Sequence, residues 1–552
     1  MPDGPLIVQS DRTVLLEVAH PQAETARHEL AVFAELERAP EHVHTYRITR
    51  LGLWNARAAG HSADEILATL ESYSKFAVPQ SVTLEIVETI GRYGKLVIER
   101  DAPTDDETTG RLTLRSTDAA VLTEITRAKK VAPLLTSRLD DGRWSIEPWA
   151  RGQLKQELIK LGWPADDLAG FTPGTPHEID LDQTGWHLRD YQQQAVDHFS
   201  EHGSGVVVLP CGAGKTIVGA GAMAAVKTNT LILVTNTVSA RQWRAELLKR
   251  TSLTEDEIGE YSGLVKEVKP VTIATYQILT SKRKGVFAHL ELLDALDWGL
   301  VVYDEVHLLP APVFKLTADL QARRRLGLTA TLVREDGRES DVFSLIGPKR
   351  FDAPWKEIEA QGYISPANCY EVRVDLPYEE RMTYAAAADD ERYRLAATAP
   401  AKLDATRALI AQHAGERILV IGQYLDQLEQ LSTELGAPSI TGATPVAERE
   451  RLFQAFREGE EKILVVSKVA NFSIDLPEAS VAIQVSGSFG SRQEEAQRLG
   501  RLLRPKESGL PASFYTLVAR DTVDQDFAQN RQRFLAEQGY AYSILDADAL
   551  VA

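Results

Sequence analysis

The segment CGAGKT (211–216) combines the residue types that bind a phosphate group. It joins the apolar segment GVVVLP (205–210) to a helical stretch, the context in which a glycine-rich turn holds phosphate. Glycines let backbone N–H groups approach the anion, a lysine reaches the β- and γ-phosphates, and a threonine hydroxyl ligates Mg²⁺. The residues with these roles are Gly212, Gly214, Lys215 and Thr216. Leu209 replaces the first glycine of the full G-x-x-x-x-G-K-[ST] pattern, so a glycine-rich turn with a surface lysine is the alternative.

An acidic pair, Asp304 and Glu305, ends the apolar segment WGLVVYDE (298–305). Ligands of open α/β sheets bind at the carboxyl ends of strands, so both carboxylates can face the phosphate loop. Asp304 is suited to hold Mg²⁺, and Glu305 is suited to orient and deprotonate an attacking water. His307 follows closely enough to couple the γ-phosphate to neighbouring strands, with a plain loop histidine as the alternative. The order of the two motifs predicts a nucleotide-hydrolysing site.

The segment QEEAQRLGRLLRP (493–505) supplies a third group of residues. On a helix, Gln497, Arg501 and Arg504 are spaced i, i+4 and i+7 and share one face. Arginines supplied across a cleft between lobes stabilise the charge of a transferring phosphoryl group. A solvated basic face, paired locally with neighbouring glutamates, is the alternative.

These motifs require parallel strands to position them, and the chain contains two sets of such strands. Apolar, β-branched segments alternate with amphipathic helical stretches, a pattern typical of parallel sheets buried on both faces. The first set is GVVVLP, TLILVTN, VTIATY, WGLVVYDE and RRLGLTAT. The second set is ERILVIG, APSITG, EKILVVS, VAIQVSG and ASFYTLV. We therefore predict an α/β fold with two parallel-sheet lobes behind N-terminal α+β domains.

Changes in pattern divide the chain into four regions. A helix is predicted over 62–78, with Ser62 as its N-cap and Glu65 completing a capping box. The acidic, turn-rich segment 101–110 predicts a linker. A short alanine-rich insertion occupies about 376–400. The predicted regions are an N-terminal domain (1–104), a second small domain (105–182), lobe 1 (183–352) and lobe 2 (353–552).

Composition limits the class of protein. The 552 residues include 61 basic and 79 acidic side chains, for a formal net charge of −18. The apolar fraction of 44% and charged fraction of 25% are globular values, and they exclude a disordered, collagenous or coiled-coil chain. The acidic balance argues against a protein that coats nucleic acid by charge alone, but not against a local basic cleft. Two cysteines, no long apolar segment and no basic leader predict a cytoplasmic protein without membrane contact.

Together the motifs resemble the xeroderma pigmentosum group B (XPB) family of superfamily-2 DNA helicases, in its bacterial and archaeal form. LRDYQQQAV (188–196) resembles the family's adenine-reading segment, and LPCGAGKT, DEVH, GLTATLVRED and QRLGRLLR follow in the family's order. The resemblance covers essentially the whole chain. It implies RecA-like lobes, ATP with Mg²⁺, and 3′→5′ helicase activity. It also implies that 105–182 corresponds to the family's damage-recognition region and 376–400 to its thumb-like insertion.

The resemblance assigns roles residue by residue. Arg189 and Gln192 bind the nucleotide, with Gln192 as the contact to the base. The family-specific RED motif contributes to strand separation. Its residues here are Arg334, Glu335 and Asp336. Coupling between nucleotide and DNA is assigned to His307, Thr329, Thr331 and Asp475.

Groups that hold the DNA backbone are expected on loops at the side of the sheets opposite the nucleotide. They are Thr235, Arg241, Thr275 and Ser467. Mixed polar groups of this kind suit phosphate and sugar, so we expect little sequence preference. Ordinary loop residues without a ligand are the alternative at each position.

We expect an ATP-dependent 3′→5′ DNA helicase or translocase that unwinds duplex DNA in nucleotide excision repair. Single-stranded and forked DNA are the expected partners, and the N-terminal domain is a candidate docking site for a repair nuclease or another repair protein. One alternative is a duplex translocase that does not separate strands. Another is a repair scaffold that ATP switches between conformations.

Overall fold

The computed structural model describes most of the 552-residue chain. The described residues are 4–40, 42–101, 110–210, 212–283, 286–310, 320–321, 323–330, 339–353, 358, 360, 367–467, 479–487, 511–537, 540 and 542–551.

The first unit is a four-stranded antiparallel sheet with order β1-β2-β4-β3, covered by helices. Its strands are β1 (Leu6–Val8), β2 (Thr13–Glu17), β3 (Ala34–Arg38) and β4 (Val43–Ile48). Its helices are α1 (Ala23–Leu30), α2 (Arg50–Ala58), α3 (Ala63–Tyr73) and α4 (Gln80–Arg92). The predicted capping box is confirmed, since Ser62 and Glu65 satisfy each other's backbone N–H groups at the start of α3. The helix ends at Tyr73, five residues before the predicted end at 78.

The second unit is a five-stranded sheet with order β7-β8-β6-β5-β9. Its elements are β5 (Leu96–Arg100), β6 (Leu112–Ser116), α5 (Ala119–Arg127), β7 (Leu135–Arg138), β8 (Arg143–Ile146), α6 (Ala150–Lys160) and β9 (Ala165–Asp167). The antiparallel pairing of β5 with β6 brings 96–100 into this sheet, whereas the predicted boundary at 104 assigns it to the first unit. The segment 101–110 therefore joins two paired strands of one sheet and does not separate two domains.

Lobe 1 is a seven-stranded, entirely parallel sheet with order β12-β13-β11-β16-β17-β10-β18. Its strands are β10 (Ser204–Val208), β11 (Thr230–Val234), β12 (Ile258–Tyr261), β13 (Val271–Thr275), β16 (Leu300–Asp304), β17 (Arg324–Thr329) and β18 (Lys349–Asp352). A small hairpin adds β14 (Lys282–Arg283) and β15 (Val286–Phe287). Its helices are α7 (Asp190–His202), α8 (Lys215–Val226), α9 (Thr237–Arg250), α10 (Tyr276–Thr280) and α11 (Glu339–Leu345). All five predicted strands are present, and the unpredicted β12 and β18 are short edge strands without a long apolar run.

Lobe 2 repeats the design with a second parallel sheet of seven strands, order β21-β22-β20-β23-β24-β19-β25. Its strands are β19 (Ala367–Val374), β20 (Ile418–Gly422), β21 (Ser439–Ile440), β22 (Ile463–Ser467), β23 (Val481–Gln484), β24 (Ala512–Ala519) and β25 (Tyr542–Asp546). Its helices are α12 (Tyr378–Ala386), α13 (Asp389–Ala397), α14 (Ala401–Gln412), α15 (Leu425–Leu435), α16 (Val446–Glu458), α17 (Val523–Glu537) and α18 (Asp548–Val551). The predicted α/β fold with two RecA-like lobes is confirmed.

The insertion at 376–400 forms the helix pair α12 and α13, which packs onto lobe 2. Tyr393 is 4% exposed and donates a hydrogen bond to the Gly487 carbonyl. The Tyr384 hydroxyl accepts a hydrogen bond from the Val523 backbone N–H at 2.9 Å. Both tyrosines therefore pack against lobe 2 and do not form part of an exposed surface of the insertion.

The N-terminal units contact both lobes. In lobe 1, the Lys349 backbone N–H donates to Asn55 Oδ1 of α2 at 3.0 Å, and α6 packs against α11. In lobe 2, Ala536 of α17 belongs to the buried core of the first unit. In the described part of the chain, no helix is both long enough and apolar enough to span a bilayer.

Candidate nucleotide site

The phosphate loop lies between β10 and α8 and is built on two left-handed glycines. Gly212 and Gly214 both have φ of +84°. A Cβ atom on Gly214 would lie 2.4 Å from Gln192 Nε2, and the left-handed φ would strain any larger residue there. The helix α8 begins at Lys215 directly after the loop, and its N-terminus adds positive potential beside the glycines.

Residues at the start of α7 hold this loop from behind. Gln192 Nε2 donates to the Ala213 carbonyl at 2.9 Å, and the Tyr191 hydroxyl donates to the same oxygen at 2.7 Å. The Gln192 side-chain oxygen accepts from the Arg189 backbone N–H at 3.0 Å, and Arg189 Nη1 donates to the Tyr191 hydroxyl. Gln192 is 5% exposed, and its described hydrogen bonds go to the protein, so its contact with an adenine base stays a prediction. Sequence analysis missed Tyr191, although this residue lies within the segment LRDYQQQAV (188–196) that resembles the adenine-reading segment of the family.

The acidic pair lies beside the loop, as the sequence predicts for a nucleotide site. Lys215 Nζ is 3.0 Å from Glu305 Oε1, and both side chains are largely buried. Glu305 has a φ of +51°, which turns the chain sharply at the end of β16. His307 Nδ1 is 3.5 Å from Glu305 Oε2 and 2.6 Å from the Thr329 hydroxyl on β17. The lysine, glutamate, histidine and threonine therefore form one connected and largely buried group.

Burial and neighbouring charges set opposite protonation behaviour for the two acids. Burial, reinforced by the adjacent Glu305, raises the pKa of Asp304 to about 6. Burial also acts to raise the pKa of Glu305, but Lys215 and His307 outweigh it and hold this pKa below its ordinary value. Glu305 is therefore ionised at neutral pH and can accept a proton.

Two aromatic residues that the sequence analysis missed hold Asp304. Trp243 Nε1 on α9 donates to Asp304 Oδ2 at 3.0 Å. The Tyr276 hydroxyl on α10 donates to the Asp304 carbonyl at 2.8 Å. Both donors come from elements far from Asp304 in sequence, so no local pattern predicts them.

The residues around the loop fit a Mg²⁺–nucleotide complex. The left-handed backbone of Gly212 and Gly214 turns the loop directly before α8, and the helix N-terminus suits an anion. Thr216 stands in the first turn of α8, and Asp304 offers a half-buried carboxylate at the adjoining strand end. A hydroxyl and a carboxylate are the oxygen donors that Mg²⁺ prefers.

Three sequence-family models match the chain. A model described as "ERCC3/RAD25/XPB C-terminal helicase" matches residues 358–551. Models described as "Helicase conserved C-terminal domain" and "Type III restriction enzyme, res subunit" match residues 6–140 and 185–334.

Two proteins named "DNA 3'-5' helicase XPB" are similar to almost the entire chain. The one from Kineococcus radiotolerans is 68% identical over 548 residues, covering 99% of this chain and 97% of that protein. The one from Mycobacterium tuberculosis is 63% identical over 551 residues, covering 100% of this chain and 99% of that protein. The chain belongs to the XPB family of DNA helicases. The enzyme is therefore a helicase.

A more distant member of the XPB family comes from Antonospora locustae. It is named "General transcription and DNA repair factor IIH helicase/translocase subunit XPB" and is 34% identical over 567 residues. The match covers 98% of this chain and 82% of that protein. The family likeness thus includes the N-terminal units as well as the two lobes.

Two of the predicted DNA contacts of this XPB-family chain, Thr235 and Thr275, do not lie at the edge of the sheet where they were expected. Val234 and Thr275 are directly paired on neighbouring parallel strands, and β16 with Asp304 lies on the other side of β11. Thr235 and Thr275 are therefore at the same carboxyl edge as the nucleotide site, displaced along the sheet. The expectation of the opposite side was wrong because every strand of the sheet runs in one direction.

The four residues predicted to contact DNA differ in solvent exposure. Arg241 is exposed, and the half-buried Thr235 hydroxyl accepts a hydrogen bond from Asn236 Nδ2 at 3.2 Å. Thr275 is 3% exposed and Ser467 is 2% exposed. A DNA contact by the last two side chains stays a prediction that their burial does not favour.

Several predicted residues of the XPB-family motifs lie outside the described residues. They are Thr331, Arg334, Glu335, Asp336, Asp475, Gln497, Arg501 and Arg504. Their roles in coupling, strand separation and phosphoryl transfer stay predictions.

Proposed function

We propose that this XPB-family chain is an ATP-dependent helicase that moves 3′→5′ on DNA and opens duplexes during nucleotide excision repair. The observation that carries the proposal is the largely buried ion pair between Lys215 and Glu305 beside the left-handed glycine loop. The two relatives named "DNA 3'-5' helicase XPB" support the polarity and the DNA substrate.

The ion pair supplies a way to link nucleotide binding to activation of the base. Lys215 exchanges Glu305 for the β- and γ-phosphates when ATP enters, because the polyanion attracts the ammonium more strongly than one carboxylate. Glu305 is then free to accept a proton from the attacking water. The water oxygen bonds to the γ-phosphorus, the bond from that phosphorus to the bridging oxygen breaks, and ADP and phosphate leave. Mg²⁺, when bound, neutralises phosphate charge, and Thr216 and Asp304 would hold it.

Two sets of residues transmit the change. His307 contacts both Glu305 and Thr329. Loss of the γ-phosphate therefore changes the environment of Glu305, and His307 transmits that change to Thr329 on β17. Arg501 and Arg504 would stabilise the transferring phosphoryl group from lobe 2, with Gln497 on the helix face that the sequence predicts for all three. Lobe closure then depends on a phosphate that hydrolysis removes, which is the differential contact that a two-state motor requires.

The test is unwinding of duplexes with a 3′ or a 5′ single-stranded tail, with and without ATP. We expect the wild-type protein to open the 3′-tailed duplex in an ATP-dependent manner and to leave the 5′-tailed duplex intact. Glu305→Gln is the control that binds nucleotide without turning over. Opening of the 5′-tailed substrate alone would refute the polarity, and no DNA-stimulated ATP hydrolysis would refute the motor.

A duplex translocase is the second candidate, and the word "translocase" in the name of the Antonospora relative favours it over the scaffold alternative. A translocase would hydrolyse ATP equally well on blunt duplexes and displace a bound protein without releasing a strand. Forked and blunt duplexes compared in one gel assay distinguish the two activities. Strand release from the fork supports the helicase.

For partners, we propose single-stranded and forked DNA, with the N-terminal units as the docking site for a repair nuclease or another repair protein. Glu305→Gln separates this role from the motor, since a docking function would survive the loss of turnover. Co-purification of a candidate nuclease with the full-length Glu305→Gln protein, compared with co-purification with the wild type, measures this docking function.

A further inference from the structure

Trp243 is a buried residue of lobe 1 that the mechanism above does not use. It lies on α9 with a 1% exposed side chain, and its neighbours Ala240 and Leu247 complete the buried face of that helix. Its indole N–H donates to Asp304 Oδ2 at 3.0 Å. A side chain of pure packing function would not need to place its one polar atom on this carboxylate.

The helix that follows the phosphate loop is shaped around the same indole. A Cβ atom on Gly219 of α8 would lie 2.4 Å from Trp243 Cη2 and 3.4 Å from Leu328 Cδ1. Gly219 is in a helix interior, where glycine costs about 1 kcal/mol relative to alanine. The cost is explained if the indole must fit between α8 and β16 with its N–H directed at Asp304.

The hydrogen bond from the Trp243 indole to a single oxygen of Asp304 restricts the orientation of the whole carboxylate. The hydrogen bond fixes the rotation of the carboxylate about its Cβ–Cγ bond, so the second oxygen takes a defined direction. Donors of this kind behind a metal-holding carboxylate orient it, and their loss typically weakens metal binding about 10- to 100-fold.

We propose that Trp243 is a positioning residue for Asp304, whose indole N–H sets the carboxylate so that its other oxygen serves the Mg²⁺ of the nucleotide complex. The inference rests on the proposed role of Asp304, because an aspartate without a metal function has no use for such orientation. Trp243 itself touches neither nucleotide nor metal in this scheme.

The experiment uses the full-length protein with Trp243→Phe, which removes the N–H and keeps an aromatic ring. Trp298→Phe is the matched control, because Trp298 is fully buried in the same lobe and donates instead to the Leu292 carbonyl at 3.0 Å. A fluorescent ADP analogue is titrated in EDTA and then at increasing Mg²⁺. We expect Trp243→Phe to need about tenfold more Mg²⁺ for half-maximal tightening, with unchanged affinity in EDTA. Trp298→Phe should match the wild type.

Two further variants make the outcome decisive. Gly219→Ala displaces the ring without changing any polar group, and it should reproduce the Mg²⁺ defect if its melting temperature shows that it folds. Asp304→Asn tests the underlying role. A Mg²⁺ defect in Asp304→Asn but not in Trp243→Phe would overturn the inference alone. No defect in either variant would overturn the metal role of Asp304 and the inference with it.

Excess Mg²⁺ provides a rescue that a merely structural role would not allow. We expect ATP hydrolysis by Trp243→Phe to return towards the wild-type rate as Mg²⁺ is raised. A rate that stays low at saturating Mg²⁺, with unchanged Mg²⁺ affinity, would show that the substitution damages packing and would contradict the proposal.

Discussion

At the scale of single residues, the candidate nucleotide site holds charges that are largely buried, with Lys215 paired to Glu305. Lys215 and Glu305 neutralise each other at a separation of 3.0 Å. Glu305 keeps a lowered pKa despite its burial, because Lys215 and His307 favour its ionised form. Glu305 is therefore ionised at neutral pH, which is the protonation state that the proposed general base requires.

Glu305→Gln should separate nucleotide binding from hydrolysis. The amide keeps the shape of the side chain but cannot take a proton, so we expect turnover to fall about 10²–10⁴-fold. Binding of a fluorescent ATP analogue should be retained, and single-turnover hydrolysis measures the chemical step. Hydrolysis at a near-normal rate would show that Glu305 is not the base.

Gln192→Ala should loosen the phosphate loop. The substitution removes the 2.9 Å bond to the Ala213 carbonyl and leaves the Arg189 backbone N–H without its acceptor. Loss of buried hydrogen bonds of this kind costs about 1–3 kcal/mol, so we expect the KM for ATP to rise roughly 5- to 150-fold. ATPase kinetics measure this change.

The neighbouring Gln193→Ala is the matched control for Gln192, because Gln193 is exposed and bonds to Asp197 on the same helix. Its KM should equal that of the wild type. Equal KM values for the two variants would mean that the loop does not depend on the Gln192 clamp.

At the scale of elements, the strands and helices determine which residues meet. The helix α9 carries Arg241 on its exposed side and Trp243 on its buried side, so one rigid element connects the predicted DNA edge to Asp304. In the first unit, β4 places His44 under the sheet, where it is 7% exposed. The pKa of His44 falls to about 4 because burial excludes the charged ring and Arg27 repels it.

His44 should make folding sensitive to acid. An unfolded histidine titrates near 6.5, so between pH 6.5 and 4 the unfolded chain binds a proton that the folded chain refuses. The contribution of the neutral His44 to the free energy of unfolding is therefore fully present above about pH 6.5. It falls as the pH drops towards 4 and does not fall further below that pH. The loss is about 3 kcal/mol at most. Melting temperatures measured from pH 7.5 to 4 for wild type and His44→Leu test this.

We expect the melting temperature of His44→Leu to fall less steeply with acid than that of the wild type. His42→Leu is the control, since His42 is exposed two residues earlier. Parallel curves for wild type and His44→Leu would contradict a neutral buried histidine.

At the scale of the whole molecule, the second unit carries a buried ionic group next to Arg325 of lobe 1. Arg151 Nη2 is 2.7 Å and Lys155 Nζ is 2.8 Å from the two carboxylate oxygens of Asp167. Burial lowers the pKa of the nearby Arg325 of lobe 1 to about 10, with Arg151 adding repulsion and Asp167 opposing it. Arg325 donates to the Leu345 and Gln321 carbonyls, and the Phe171 ring lies beside both arginines.

Asp167→Asn should destabilise this docked arrangement. The substitution leaves the buried Arg151 and Lys155 charges without their carboxylate, which costs about 3–5 kcal/mol when one member of a buried pair is removed. Hydrogen exchange should rise in both α6 and the facing α11. Asp141→Asn, at a fully exposed carboxylate paired with Arg138, should change stability by less than about 1 kcal/mol. Equal exchange in the two variants would argue against a shared interface.

The sequence by itself determined the nucleotide motifs and the two-lobed α/β design. CGAGKT and the acids after WGLVVY are local patterns, and each central strand carries its own apolar run, so neither depends on distant contacts. The strand β19 escaped prediction because Glu371 and Arg373 interrupt its apolar pattern. The linker interpretation of 101–110 failed because only the pairing of β5 with β6 shows that both strands share one sheet.

Only the tertiary structure decided which residues support the site. Trp243 and Asp304 are 61 positions apart, and Tyr276 is 28 positions from its acceptor. Contacts at such separations arise from the packing of whole elements, which leaves no periodic trace in the local sequence. The motifs therefore predicted the chemistry from local sequence, whereas the tertiary structure determined which side chains hold Asp304 and the phosphate loop in place.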